Sequence, residues 1–187
     1  LFLFSGLAKA QGSDEREDGG GGADNYAFGI GAGLIEPRGT TETYFTANLR
    51  IRGHRGGEGD EDRPRQGGIT GYFEPEVGYW TRSSSGGNKI SGSDTLVGAN
   101  LVGVVPLGRV DNFFGIGAGV HFVDAKLLTG DATETGSKSK LGLNAQFGVD
   151  IYLTNKVSLF GVGRFDLVQD ASDNVQSKVY VGVRSRF

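Results

Sequence analysis

From residue 26 onward, residue character repeats at every second position through most of the chain, and this period of two dictates an extended backbone. Side chains at i, i+2 and i+4 share a face only on a strand. In the first segment Tyr26, Phe28, Ile30, Ala32 and Leu34 take one side, and Ala27, Gly29, Gly31 and Gly33 the other. In the second, Phe45, Ala47, Leu49 and Ile51 oppose Tyr44, Thr46, Asn48, Arg50 and Arg52. In the third, Phe73, Val77 and Tyr79 oppose Tyr72, Glu74 and Glu76; in the fourth, Val97, Ala99 and Leu101 oppose Gly98 and Asn100, with the contrast fading at Val102 and Val104. The fifth sets Phe114, Ile116, Ala118, Val120 and Phe122 against Gly115, Gly117, Gly119 and His121. The sixth is the cleanest, with Leu141, Leu143, Ala145, Phe147, Val149 and Ile151 against Gly142, Asn144, Gln146, Gly148 and Asp150. The seventh puts Val157, Leu159, Phe165 and Leu167 opposite Ser158, Arg164 and Asp166, blurred by Phe160 and Val162. The last puts Val179, Val181, Val183 and Phe187 opposite Lys178, Tyr180, Gly182, Arg184 and Arg186.

These segments run about 10 residues each, the length a tilted membrane-crossing strand needs. Composition agrees. The chain holds 34 Gly, 12 Phe and 6 Tyr, and each glycine inside a helix costs roughly 1 kcal/mol. No apolar run approaches the ~20 residues of a spanning helix. The lack of cysteine excludes disulfides, thiolate zinc sites and cysteine nucleophiles. A formal charge of −3 implies no nucleic-acid partner.

Residues 1–10, LFLFSGLAKA, end in the small-x-small pattern Ala8-Lys9-Ala10 and read as the remnant of a signal peptide, cleaved before Gln11. With no methionine, the chain is expected to be trimmed at its start. Residues 11–24 are acidic and glycine-rich and read as a flexible leader. Residues 25–187 form the domain.

A sheet with one apolar face closes either as a soluble barrel, apolar inside, or as a membrane barrel, apolar outside. The opposite face carries Arg50, Arg52, Glu74, Glu76, Asp150, Arg164, Asp166, Lys178, Arg184 and Arg186 among many glycines. Eight strands enclose a space just filled by side chains, so long charged residues there need small neighbours. Tyr26, Tyr79, Trp80, Phe114, Phe122 and Phe187 fall near strand ends, as interfacial aromatic girdles do. Both features, with an export signal, predict an all-β, eight-stranded, antiparallel up-and-down transmembrane barrel. In lipid every backbone N–H and C=O is paired, so the last strand must pair with the first.

Three stretches resemble the OmpA-like, opacity-type outer-membrane β-barrel family over residues 25–187. They are FEPEVGYW at 73–80, GLNAQFGVD at 142–150 and the ending YVGVRSRF at 180–187. The resemblance implies a Gram-negative outer membrane, both termini in the periplasm, and an assembly signal in Tyr180, Gly182, Val183 and Phe187 read by the barrel-assembly machinery. Ser185 departs from that signal, where an apolar residue is usual. The partners implied are outer-membrane lipid and that machinery, and the barrel is expected as a monomer.

The same orientation makes 36–42, 82–93, 124–139 and 169–176 extracellular loops, and 106–111 and 152–156 short periplasmic turns. The connection 53–68 is long for a periplasmic one and reads as a flexible insertion. Pro75 removes a ladder hydrogen bond and predicts a bulge or a gap in pairing.

Other chemistry is weaker. FGIGAG at 28–33 and again at 114–119 lacks the spacing and helix of a dinucleotide fingerprint. The acidic run 56–62 has the wrong spacing for a calcium repeat. His121 has no serine beside it in sequence to form a nucleophile–base pair. The sequence therefore implies no enzyme, cofactor or metal. It implies a structural or surface-interaction protein whose lumen is plugged by an ion-pair network. The alternatives are a narrow pore for ions or small solutes, and a soluble periplasmic barrel binding an apolar ligand.

Overall fold

The computed structural model describes residues 25–36, 41–53, 68–85, 89–129, 132–169 and 175–187. The expected signal remnant and leader, the acidic run 56–62 and most of the long connection lie outside them.

Every alternating segment is a strand: β1 (Tyr26–Glu36), β2 (Glu42–Arg52), β3 (Thr70–Ser85), β4 (Lys89–Leu107), β5 (Val110–Thr129), β6 (Ala132–Tyr152), β7 (Val157–Val168) and β8 (Val175–Arg186). They form one closed barrel in sequence order. All pairs are antiparallel, and β1 pairs β8 from Ala27↔Arg186 to Glu36↔Ser177. The chain ends seal this seam. Tyr26 and Phe187 exchange backbone hydrogen bonds of 3.2 and 3.0 Å, and their rings stack at 6.1 Å.

Side-chain direction decides between the two barrel types. Phe147 is 59% exposed on the outer wall and Arg164 is 1% exposed inside. The same split holds around the wall, with Ile116, Leu143 and Val181 outside and Glu76, Asp150 and Arg184 inside. An apolar outer wall is favourable only against lipid, which excludes the soluble barrel with an apolar interior. The apolar stripe of β6 runs from Leu141 to Ile151. That is ~34 Å of strand, or ~24 Å of height at a tilt near 45°, close to the apolar band of outer-membrane barrels.

The strands of one side outrun this band. β5 and β6 span 20 and 21 residues, and most of the expected loops 82–93 and 124–139 are paired strand. Sequence alternation stops at the membrane because contrast between faces needs lipid on one side. Above it Asp124, Lys126, Glu134 and Lys138 are all exposed, yet the hydrogen-bond ladder continues.

The short turns use local chemistry. Gly108 adopts φ +75° in the two-residue hairpin between Leu107 and Val110, a conformation that suits glycine. Thr154 Oγ1 accepts from the backbone N–H of Lys156 and Val157 at 3.2 and 3.0 Å. At Pro75 the β2–β3 ladder skips from Asn48↔Glu76 to Ile51↔Phe73 in unchanged register, so the proline leaves a gap in pairing and no bulge.

Candidate functional site

The polar faces of the strands meet in the lumen, where the charged side chains sort into two layers. Near the chain termini, Arg50 Nε donates to Glu74 Oε2 at 2.6 Å and Nη1 to Asp150 Oδ2 at 2.7 Å. Arg184 Nη1 donates to the other Asp150 oxygen, and its Nη2 lies 3.8 Å from Glu74. Gln146 Nε2 donates to Glu74 Oε1 at 2.9 Å. Phe113 underlies both guanidinium groups, at 4.1 Å from Arg50 and 5.6 Å from Arg184.

Glu76 is the hub of the second layer. It accepts from Tyr44 Oη and Thr46 Oγ1 at 3.0 Å each, from Asn100 Nδ2 at 3.1 Å, and from Arg164 Nη1. Arg164 Nε donates to Asp166 Oδ1 at 2.9 Å, and Lys178 Nζ lies 3.0 Å from Asp166 Oδ2. Lys178 Nζ also sits over the rings of Tyr44 and Trp80, at 4.8 and 4.7 Å.

Each layer therefore pairs two cations with two anions, all buried. Such burial is tolerated because every charge in the two layers faces an opposite one. Arginine suits the role because its planar fork reaches two carboxylates at once, as Arg50 does. Glycines supply the room: a Cβ on Gly142 would sit 2.8 Å from His121 Nε2.

A smaller pair closes each layer's outer side. At the terminal end Arg186 Nη2 lies 3.0 Å from Asp111, which also accepts from Tyr152 Oη. At the far end His121 Nδ1 lies 3.4 Å from Asp94, edge-on to Trp80 at 5.9 Å.

Of the ten charged residues read from the sequence, the structure brings nine into the lumen and its rim. Arg52 is the exception. It has lumen parity but stands one step beyond the rim, exposed, and makes no ion pair among the described residues. Tyr26, Tyr79, Phe114 and Phe122 face outward, 44–53% exposed. Trp80 does not: it is 4% exposed inside the barrel, because it shares parity with Glu74 and Glu76. In the closing strand Val183 and Phe187 face outward, whereas Tyr180 is buried against Tyr44 at 5.5 Å. Gly182 packs so closely that a Cβ there would lie 2.7 Å from Gly31 Cα.

Tyr44, Asn100, Gln146, Asp94 and Asp111 also belong to the network, beyond the residues expected from the sequence. Strand parity marks most of them, but Asp111 lies where a turn was expected. Val102, Val104, Phe113, Phe160 and Val162 are buried inside as well. Those residues blur the alternation because apolar side chains fill both faces there. Among the described residues no group of three or more His, Asp or Glu is placed to hold a metal ion.

No protein-family model matches the sequence, and neither does any curated protein. Solved structures do match in fold. Neisserial surface protein A superposes with a TM-score of 0.55 at 16% identity, over 87% of this chain and 96% of that one. Ail of Yersinia pestis, the attachment invasion locus protein, gives 0.55 at 15% over the same shares. The outer membrane enzyme PagL gives 0.51 at 14%, over 86% of this chain and 99% of its own. The fold, the apolar outer wall and the ion-paired lumen together define a small transmembrane β-barrel of the outer-membrane type. Within that class this chain has a lumen plugged by a buried salt-bridge network.

Proposed function

We propose that this barrel sits in the outer membrane of a Gram-negative bacterium, with both termini periplasmic, in a structural or surface-interaction role and without catalysis. The observation that carries the reading is the charge-balanced lumen: Arg50, Arg184, Arg164 and Lys178 are each held by Glu74, Asp150, Glu76 or Asp166, and a water path through these layers would break those pairs. PagL demonstrates that this fold hosts enzymes, so the fold does not decide the matter. At His121 Asp94 lies 3.4 Å from Nδ1, but among the described residues no hydroxyl donates to Nε2, and a base needs a nucleophile within reach.

In this reading residues 1–10 are the export signal and 11–24 a leader, as the small-x-small cleavage pattern suggests. Tyr180, Gly182, Val183 and Phe187 engage the assembly machinery, and the mature protein is a monomer in lipid. The strands that outrun the membrane hold the surface available to partners.

The purified protein in detergent should show heat-modifiable gel mobility and stay in the membrane fraction on extraction without detergent. In planar bilayers it should give no reproducible single-channel steps. Regular steps would replace the plug with a narrow pore.

A further inference from the structure

The mouth of the barrel where the termini meet holds a cavity that the plug does not use. Ala27 lies opposite Arg50 across β1–β2 and opposite Arg186 across β1–β8, so a methyl group sits where arginines converge from both sides. The space left, about 10 Å³, is lined by Ala27, Arg50, Tyr72, Val104, Arg184 and Arg186. Three arginine side chains line it beside Ala27, Tyr72 and Val104, and among the described residues no carboxylate does. Glu74, Asp150 and Asp111, which balance those arginines, do not line it.

Two of these arginines carry an orphaned donor. Arg50 Nη2 and Arg184 Nε are buried without a hydrogen-bond partner, on side chains only 3% and 1% exposed. Every other nitrogen of Arg50 is used on a carboxylate. Buried N–H groups left unpaired are costly, more so on a charged group. The space admits one oxygen, and a guanidinium binds a charged oxygen more strongly than a neutral one. Arg186, with its side chain 27% exposed, leaves the way in from solvent.

We propose that this mouth is an anion-binding site, in which one oxygen of a carboxylate or phosphate group enters beside Ala27 and is held by Arg50, Arg184 and Arg186. The rest of the ligand stays outside, so the site selects for the anionic group and not for what carries it.

The test is thermal unfolding of the whole barrel in uncharged detergent, at constant ionic strength, with chloride replaced by inorganic phosphate or acetate. The unfolding midpoint should rise with anion concentration and saturate. Arg186→Gln should weaken the half-saturating concentration about tenfold or more, and Ala27→Leu, which fills the space, should abolish the response. A response to free phosphate identifies a soluble anion. A response only to vesicles containing phosphatidylglycerol identifies a lipid phosphate, and either supports the site. Equal responses in the parent chain, Ala27→Leu and Arg186→Gln, or no response at all, would overturn it. If Ala27→Leu does not fold, the comparison with Arg186→Gln decides alone.

Discussion

Replacing Glu76 by glutamine tests whether the plug is an energetic unit. The change keeps the shape of the side chain but removes its charge. Arg164 and Lys178 are then left to share Asp166, two buried cations on one carboxylate. Tyr44, Thr46 and Asn100 keep at most part of their acceptor. Breaking a buried pair by removing one partner costs about 3–5 kcal/mol, and neutral hydrogen bonds add ~1 kcal/mol each where they are lost. We expect Glu76→Gln to destabilise the barrel by about 3–5 kcal/mol. The double variant Glu76→Leu with Arg164→Leu removes both charges and leaves Asp166 paired with Lys178 alone. It should recover much of that loss, because exchanging a whole buried pair for apolar side chains is often neutral. The assay is urea unfolding in phospholipid vesicles followed by the fluorescence of Trp80, the one tryptophan of the chain, which packs against this layer through Lys178. A loss below about 1 kcal/mol for Glu76→Gln would put the pair in the range of solvent-screened ion pairs. A thermodynamic cycle with no coupling between Glu76 and Arg164 would equally refute the buried-unit account.

Other expectations follow from single contacts. Trp80 emission should resist quenching by brominated acyl chains, since the ring lies inside the barrel; efficient quenching would put it on the lipid face. Gly142→Val drives a side chain into His121 and should cost about 1–3 kcal/mol in urea unfolding. Gly136→Val meets nothing within 4 Å and should cost little by the same measurement. Deleting Phe187 removes the ring stacked on Tyr26 and the last backbone pair of the seam. It should lower membrane insertion in cells, and unchanged insertion would remove Phe187 from the assembly signal.

Much of the barrel was legible because a strand's two faces are written in alternate residues. The contrast of Leu141 to Ile151 against Gly142 to Asp150 is enough to locate β6 and to orient it once charges mark the inner face. The same rule assigns Trp80 inward. Residue type alone suggests an interface for this ring, and parity overrides it. Arg52 shows the opposite limit, since parity gives a direction but not the height at which the barrel ends. The hairpins above the membrane carry no alternation for a physical reason: with water on both sides, nothing requires the two faces of residues 124–126 or 134–139 to differ.

The sequence by itself determined that the chain is extended, that its segments close in an even-numbered antiparallel sheet, and which residues share the polar face. It did not determine partners. Arg50 meets Asp150 a hundred residues away, and Arg164 meets Glu76 across 88. Such contacts depend on the stagger of the strands around the closed barrel, which no local pattern encodes. Only the tertiary structure decided that the charges sort into two balanced layers, that apolar side chains fill the gaps between them, and that three arginines line one small space beside Ala27.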